Sequence, residues 1–318
     1  MTNRRNFLQQ SGALALASFI YPGLSRAANL FPAHANKAIG LQLYTVASFM
    51  ETDPKGTLQK LAAIGYKELE SAGSSKGNYY GYTPNQFAAM VKDMGMTWRS
   101  EHVGGFPLSM SEIMKFARNA EDSAKIQKMA PMIEGMAKMP NLQKNTQQLA
   151  DEAAEGGLSY MICSGVPVDT MDAVKSAVDL LNKAGEACKK VGVQFGYHNH
   201  YFEFNPVNGV VPFDYFMANT DKNLVKFELD LGWATVAGKD PVDIFKKYSG
   251  RIPLWHVKDV NKSTLTPVAM GTGNVDFKRL FTNSEVSGMK YFFVEEEDAQ
   301  KPLELVANDY TFIKKIIA

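Results

Sequence analysis

One pattern of apolar and polar positions recurs along the chain from residue 39 onward. A helical stretch ends near a glycine, a short apolar run follows, and the run closes on polar residues. The pattern occurs six times, and its glycines are Gly65, Gly95, Gly157, Gly192, Gly250 and Gly288. A glycine in the left-handed conformation commonly ends a helix, and a short apolar run is typical of a strand buried on both faces. With the apolar runs at 39–45 and 224–230, the sequence predicts eight strands.

Amphipathic stretches separate these strands. The predicted helices cover residues 54–64, 84–94, 171–191, 212–218, 241–248, 277–286 and 303–317, with two more within 111–156. Several begin with proline, which the first turn of a helix accommodates. Eight strands alternating with helices predict an α/β fold, a single (β/α)₈ TIM barrel, rather than two doubly wound halves. In such a barrel the carboxyl ends of the strands meet at one mouth, where catalytic groups lie.

The first residues follow a different pattern. Arg4 and Arg5 precede an apolar run at 12–24, and small residues follow at 25–28. This order predicts a secretory signal, and the paired arginines resemble a twin-arginine signal, although Asn3 stands where Ser or Thr is common. We expect a signal peptide at 1–28, a linker at 29–37 and a catalytic TIM-barrel domain at 38–318. The apolar run is shorter than the ~20 residues of a membrane span, so we expect a periplasmic or otherwise exported protein without stable membrane insertion.

The composition narrows the possible partners. The 318 residues are 45% hydrophobic and 21% charged, which indicates a globular protein. Lys and Arg number 34 against 33 Asp and Glu, so no nucleic acid partner is expected. Cys163 and Cys188 have no CxxC spacing and predict neither a cysteine metal site nor a disulfide-dependent fold.

Histidines and acids close the predicted strands. His102, His198, His200 and His256 all fall at strand ends, Asp230 closes strand six, and Glu295 closes strand eight. A desolvated carboxylate at such a place costs several kcal/mol unless a cation or hydrogen bonds compensate. The ends of strands five to eight therefore predict a site for one divalent metal ion, with Mn, Zn, Co and Mg all open. Its ligands would be His198, Asp230, His256 and Glu295.

Five segments of the chain resemble those of the xylose isomerase-like barrels known as sugar phosphate isomerases/epimerases. They are YHNHYFEF at 197–204, ELDLGW at 228–233 with AGKDP at 237–241, WHVKD at 255–259, GTGNVDF at 271–277 and FVE at 293–295. The resemblance covers nearly all of 38–318. It implies a metal held at the ends of strands five to eight, which corresponds to the same four ligands. The chain departs from many members of the family at His198, where they have glutamate.

This departure bears on the expected reaction. Epimerisation by two opposed bases needs acid/base groups on strands five and eight, and a metal-bound His198 cannot be one of them. Proton abstraction next to a carbonyl, with Glu295 or a nearby histidine as base, still leads to an enediolate. Reprotonation of the enediolate on the neighbouring carbon gives an isomerised sugar. It can also expel a β-substituent, and the alternative activity is therefore a 3-keto-glycoside eliminase, a lyase that cleaves the glycosidic bond. A non-catalytic sugar-binding barrel is a third interpretation.

Further residues are candidates for the site. Glu70, His102, His200 and Lys258 are candidate acid/base or charge-stabilising groups; Glu70 is equally consistent with a structural hydrogen-bonding role, and Lys258 with an ion pair to a strand-end acid. Tyr44, Phe106 and Trp233 could stack on a sugar ring, as could Tyr197, although aromatic residues in barrels are mostly core.

No phosphate site is predicted. The Gly271–Gly273 turn lacks the ending of a P-loop and contains no arginine, and a glycine turn leading into a helix accounts for it. Because an exported protein also meets few sugar phosphates, we expect a neutral sugar or glycoside as substrate. The sequence leaves the oligomeric state open.

Overall fold

The computed structural model describes residues 38–107, 138–297 and 303–318, together with positions within 110–135 that include the helix Ala120–Lys128. The expected signal peptide and linker lie outside the described residues. The described residues between 38 and 318 belong to one compact unit. In the described part of the chain, no helix is both long and apolar enough to cross a membrane.

Eight parallel strands close into a barrel, as predicted. They are paired in chain order, and the last pairs with the first. Their bounds are β1 Gly40–Gln42, β2 Glu68–Ser71, β3 Thr97–Val103, β4 Tyr160–Cys163, β5 Gln194–His198, β6 Val225–Asp230, β7 Leu254–Val257 and β10 Tyr291–Val294. A short antiparallel pair, β8 Asp259–Asn261 and β9 Thr266–Val268, follows β7 and was not predicted.

Helices connect the strands at the predicted places, and two short helices, Ala47–Thr52 and Leu231–Val236, were not predicted. Their bounds are Ala47–Thr52, Pro54–Ile64, Pro84–Asp93, Ala120–Lys128, Leu142–Glu155, Met171–Lys190, Pro212–Asn219, Leu231–Val236, Pro241–Lys247, Phe277–Thr282, Ser284–Ser287 and Leu303–Ile317. All six glycines of the repeated pattern have positive φ, between 70° and 124°, which confirms their role at the turns before the strands. Side-chain hydrogen bonds cap the N-termini of several helices. At the helix Pro84–Asp93, for example, Thr83 and Gln86 form a reciprocal capping box.

Two predicted elements differ from the expected ones. The first strand ends at Gln42 instead of continuing to 45, because the Gln42 side chain accepts a hydrogen bond from the Tyr44 backbone and starts a 3₁₀ helix at Leu43–Val46. The predicted helix at 277–286 is divided at Asn283 into two short helices.

The apolar core consists of one large and two small clusters in the described part of the chain, and one of the small ones, Trp233 with Val236 and Val260, lies near the barrel mouth. Most of it lies between the strands and the surrounding helices, where Trp255, for example, stacks on Phe245 with ring centroids 4.7 Å apart. A smaller cluster inside the barrel consists of Tyr160, Ile162, Leu254 and Phe293. Successive strand residues face opposite sides of a sheet, so that Trp255 packs outward while His256 points inward.

Candidate active site

Three histidines and two glutamates meet inside the barrel, above the apolar cluster. Glu228 pairs in register with His198 on β5, and Asp230 pairs with His256 on β7. Because Glu228 and Asp230 are two residues apart on one strand, both carboxylates face the interior and lie one layer above the other.

The Glu228 carboxylate is the centre of the inner layer. Its Oε2 lies 2.8 Å from Nε2 of His102, 3.1 Å from Nδ1 of His198 and 3.2 Å from Nε2 of His256. The rings of His102 and His256 are stacked, with centroids 5.1 Å apart. Three imidazoles from β3, β5 and β7 thus converge on one carboxylate oxygen.

Glu70 on β2 supports this layer from the other side. Its Oε1 lies 2.6 Å from Nε2 of His256 and 3.0 Å from Nε2 of His102. The same oxygen accepts a hydrogen bond from Gln42 at 2.8 Å, and Ser100 donates to Oε2 at 2.6 Å. Glu70 is fully buried. These contacts agree with the structural hydrogen-bonding role that the sequence left open for it.

The outer layer is built around a buried lysine. Lys258 follows β7, and its ammonium lies 3.0 Å from Oδ2 of Asp230 and 2.8 Å from Oε2 of Glu295. It also forms an ion pair with Glu297. Glu295 Oε2 is 2.9 Å from Nδ1 of His256, which joins the two layers. Of the two roles that the sequence left open for Lys258, the structure shows the ion pair with strand-end acids.

Two overlapping groups of side chains could hold a metal ion. In each, one ligand atom per residue lies within 4.8 Å of all the others. The outer group is the predicted set, His198, Asp230, His256 and Glu295. The inner group is His102, His198, Glu228 and His256. In the described structure, Oε1 of Glu228 is buried and has no hydrogen-bond partner, and such an atom is costly unless a cation or another donor meets it.

The electrostatics divide the histidines into two kinds. Burial, together with the neighbouring His256 and His102, holds the pKa of His198 well below its usual value, so the ring is neutral and able to bind a metal. Burial also lowers the pKa of His102, but Glu70 and Glu228 overcome this and raise it to about 9. The pKa of His256 is raised for the same reason, against burial, by Glu228 and Glu295.

The carboxylates are shifted in opposite directions. Burial raises the pKa of Glu228 to about 7, with the charge of Glu70 adding to the effect. Burial also opposes ionisation of Glu295, but Lys258 and His256 outweigh it and hold its pKa well below the usual value. Glu295 is therefore an ionised carboxylate beside a buried cation, which is the form that a metal ligand or a general base requires.

His200 and Trp233 lie beside the outer layer. The His200 ring is edge-on to His198 at 5.1 Å and stacks on Phe202. Burial and the charge of Lys258 lower its pKa to about 3, so His200 is neutral. Lys258 lies 4.7 Å from the centre of the Trp233 ring. Among the described residues, Nδ1 of His200 and Nε1 of Trp233 are buried without a hydrogen-bond partner.

Of the other aromatic candidates, two lie on the mouth side of the barrel and one lies in the core. Tyr44 and Phe106 follow β1 and β3 and are half-buried on the same side of the barrel. Tyr197 is fully buried in the outer core, where its hydroxyl donates to Glu203 at 2.6 Å. It belongs to the core, as aromatic residues in barrels mostly do.

The glycine turn is held by an acid. The backbone amides of Gly271 and Gly273 both donate to Oδ2 of Asp259 at 2.9 Å. The structure thus gives this turn an internal partner, in agreement with the prediction of a glycine turn before the helix Phe277–Thr282.

Sequence reasoning missed Glu228 as a site residue. Its signal was present, since an acid two positions before a strand-end acid must face the same interior. The predicted ligand set contains only the last residue of each apolar run, and Glu228 lies two residues before the last. The contacts of Gln42 and Ser100 with Glu70 were also missed, and no sequence pattern marks these residues.

Comparisons with known proteins agree with this architecture. A family model described as xylose isomerase-like TIM barrel matches residues 58–316. An inosose dehydratase of Clostridium perfringens is 27% identical over 182 residues, which are 51% of this chain and 61% of that protein. The match thus spans less than two thirds of that relative.

Solved structures extend the likeness over the whole barrel. A sugar phosphate isomerase/epimerase from Parabacteroides distasonis is 26% identical, covers 90% of this chain and 97% of its own, and has a TM-score of 0.70. The IOLI protein, solved with a zinc atom, is 14% identical, covers 88% of this chain and 98% of its own, and has a TM-score of 0.62; at this identity the likeness shows the fold alone.

Proposed function

The chain belongs to the xylose isomerase-like TIM barrel family of sugar-processing enzymes, and we propose that it is a divalent-metal-dependent enzyme that removes a proton next to a carbonyl of a non-phosphorylated sugar or glycoside. The observation that carries this proposal is the convergence of four metal-ligating side chains, from four consecutive barrel strands, within 4.8 Å of one another.

In this proposal His198, Asp230, His256 and Glu295 hold the metal. The neutral state of His198 and the ionised state of Glu295 suit an ion with mixed nitrogen and oxygen ligands. A bound divalent metal polarises a carbonyl and stabilises the negative charge of an enediolate. The identity of the metal stays open among Mn, Zn, Co and Mg.

The chain's own groups supply the proton transfer. Glu295 is the proposed base, because it is ionised and lies at the end of β10 facing the mouth. The Lys258 ammonium beside it keeps Glu295 ionised. His200 and Trp233 offer buried polar atoms for substrate hydroxyls. Lys258 is shared by three carboxylates, so it leaves little positive charge for a phosphate, which favours a neutral substrate.

Elimination is the second candidate reaction. It is favoured by the relative in Clostridium perfringens, whose name, inosose dehydratase, describes loss of water. The same proton abstraction followed by expulsion of a β-substituent would make this chain a 3-keto-glycoside eliminase. Isomerisation and elimination therefore share their first step and differ in what the enediolate does next.

The metal site is tested by a matched pair of variants. Asp230→Asn removes a ligand of the outer group only, and Glu228→Gln removes one of the inner group only. We expect Asp230→Asn to lose most bound metal and Glu228→Gln to retain it, measured by elemental analysis after purification with a stoichiometric supply of metal. The opposite result would place the ion in the inner group. No metal in the unaltered protein would refute the proposal.

The reaction is tested with free ketoses and 3-keto-glucosides. Isomerisation gives a new sugar, whereas elimination releases the aglycone. Glu295→Gln should lower turnover by about 10² to 10⁴, the usual contribution of a general base, and its metal content is measured alongside because Glu295 is also a proposed ligand. Glu297→Gln, which also removes a carboxylate next to Lys258, should lower turnover far less. Incorporation of solvent deuterium next to the carbonyl would support the enediolate, and efficient interconversion of C3 epimers would contradict one-base chemistry.

Export remains part of the proposal. A twin-arginine signal carries folded proteins, and loading a metal before export would explain that route. Arg4→Lys combined with Arg5→Lys should hold the precursor in the cytoplasm, as measured by cell fractionation and immunoblotting. A precursor that is still exported would indicate another pathway.

A further inference from the structure

A second pocket lies at the end of the barrel opposite the candidate active site. Tyr160, Gln194 and Tyr291 are the first residues of β4, β5 and β10 and line it, whereas the metal-ligating candidates close the strands at the other end. The pocket has a volume of about 510 Å³, a size typical of small-molecule sites. The apolar cluster that contains Ile162, Leu254 and Phe293 separates it from the histidines.

Positive charge is concentrated in this pocket. Lys226 and Lys290 both line it, and its lining contains no acidic side chain. Lys226 donates to the backbone carbonyl of Lys222, and neither Lys226 nor Lys290 forms a salt bridge with a described carboxylate. The field from like charges in a cleft is focused by its low-dielectric walls.

A third cation adds to the field. The Arg251 guanidinium donates to the carbonyls of Met217 and Val225 and to the hydroxyl of Thr220, all of them neutral partners. Burial, Arg251 and Lys290 together lower the pKa of Lys226, and the acid that opposes this is the surface residue Asp221. Arg99, which lies over the Tyr291 ring at 4.4 Å, is neutralised by Glu68 at 2.8 Å.

We propose that this pocket, which we call the basal pocket, binds a small oxyanion of the phosphate type through Lys226 and Lys290. Charge-assisted hydrogen bonds from ammonium groups are strong partners for phosphate oxygens. The hydroxyl-bearing rings of Tyr160 and Tyr291 and the volume of the pocket leave room for an organic group attached to the anion. The site is independent of the proposed catalytic activity, because it lies at the opposite end of the strands.

The test uses the full mature chain, treated with a chelator so that no metal binds the anion. Inorganic phosphate and glycerol 3-phosphate are titrated separately by calorimetry, at constant ionic strength maintained with sodium chloride. We expect saturable binding at one site per chain. Tighter binding of the ester than of inorganic phosphate would identify an organic phosphate as the preferred ligand, and equal or weaker binding would identify the free anion.

Variants locate the site. Lys226→Met and Lys290→Met keep the aliphatic stem and remove the charge, and each should weaken binding about tenfold or more, the effect of losing one charge-assisted contact. Lys278→Met, at an exposed position on the helix Phe277–Thr282, is the control and should bind phosphate as the unaltered protein does. Circular dichroism spectra check that all three fold.

Two results would overturn the proposal. One is phosphate affinity that is unchanged in the Lys226→Met, Lys290→Met double variant, which would place the anion elsewhere, for example among the histidines at the mouth. The other is no detectable binding by the unaltered protein at ~10 mM phosphate, since a site weaker than this contributes less than ~3 kcal/mol and is not specific.

Discussion

At the scale of single residues, the interior of this barrel is a balance of buried charges. Lys258 is almost completely buried, and its ammonium forms ion pairs with Asp230, Glu295 and Glu297. A buried ion pair contributes little by itself, because desolvation opposes the attraction, but removing one partner leaves the others uncompensated. Replacing a single charged side chain at the mouth should therefore change the free energy of unfolding substantially.

Lys258→Met should destabilise the metal-free protein by about 3–5 kcal/mol, because it leaves buried carboxylates without their counter-charge. Addition of a divalent metal should recover part of this loss, since the cation meets the same carboxylates. The free energy of unfolding in urea, with chelator and with metal, measures both effects. Lys247→Met is the matched control: Lys247 pairs with Asp214 at a similar 2.9 Å but at the surface, and its loss should cost about 1 kcal/mol or less.

Glu101 gives a prediction on pH. It lies on β3, faces away from the histidines, and is buried; burial and the nearby Glu152 raise its pKa to about 8. In the unfolded chain a glutamate titrates near 4.3, so the folded state holds one more proton between these values. Stability should therefore fall as pH rises from about 4.5 to 8, by up to about 1.4 kcal/mol per pH unit from this group.

Glu101→Gln should remove that dependence, because the amide has no proton to lose. Melting temperatures from pH 5 to 8 for the unaltered protein and the variant measure the difference in slope. Glu155→Gln changes an exposed glutamate that accepts from Asn85 and should leave the slope as it is. Parallel curves for the unaltered protein and Glu101→Gln would contradict the shifted pKa.

At the scale of elements, the turns between helices and strands depend on glycine conformation. Gly192 ends the helix Met171–Lys190 and precedes β5 with φ of 81°, a region that residues with a Cβ rarely adopt. A Cβ added there would meet no atom within 4 Å. The glycine is therefore required by the backbone and not by packing.

Gly192→Ala should destabilise the protein by about 1–2 kcal/mol, the cost of a left-handed alanine. Gly192→Asn should cost less, because asparagine tolerates this conformation. Gly165→Ala is the matched control: its Cβ would also have open space, but its φ is not in the positive region. Urea denaturation of the three variants should rank Gly192→Ala as the least stable.

At the scale of the whole molecule, we expect the fold to be separable from the proposed metal site. The large core between strands and helices does not involve the histidines of the mouth, so the barrel should fold without metal. A metal that binds only the folded state adds stability according to its concentration relative to its dissociation constant.

Titration of Mn²⁺ or Zn²⁺ into chelator-treated protein should raise the melting temperature progressively, by a stabilisation of about 2.7 kcal/mol at a hundredfold excess over the dissociation constant. His256→Ala should abolish the shift while keeping the far-ultraviolet circular dichroism of the folded barrel. Loss of that spectrum on chelation alone would show that metal and fold are not separable. If metal still raises the melting temperature of His256→Ala, His256 is not a ligand.

The sequence by itself determined the architecture of this protein. Strand and helix differ in the period at which apolar residues recur, and glycine marks the turns, so eight strands and most helices could be located from local patterns. Two helices, Pro54–Ile64 and Leu303–Ile317, have the predicted bounds. Because the strands of a barrel share one mouth, the positions of His198, Asp230, His256 and Glu295 at strand ends were enough to predict that they meet.

Only the tertiary structure decided which groups touch. The register between strands sets the height of each side chain in the barrel, and it placed Glu228 among three histidines and Glu70 beneath His256. It also placed the Lys258 ammonium between two strand-end acids. Such contacts join residues far apart in sequence, and their charges respond to burial, so no local pattern along the chain specifies them.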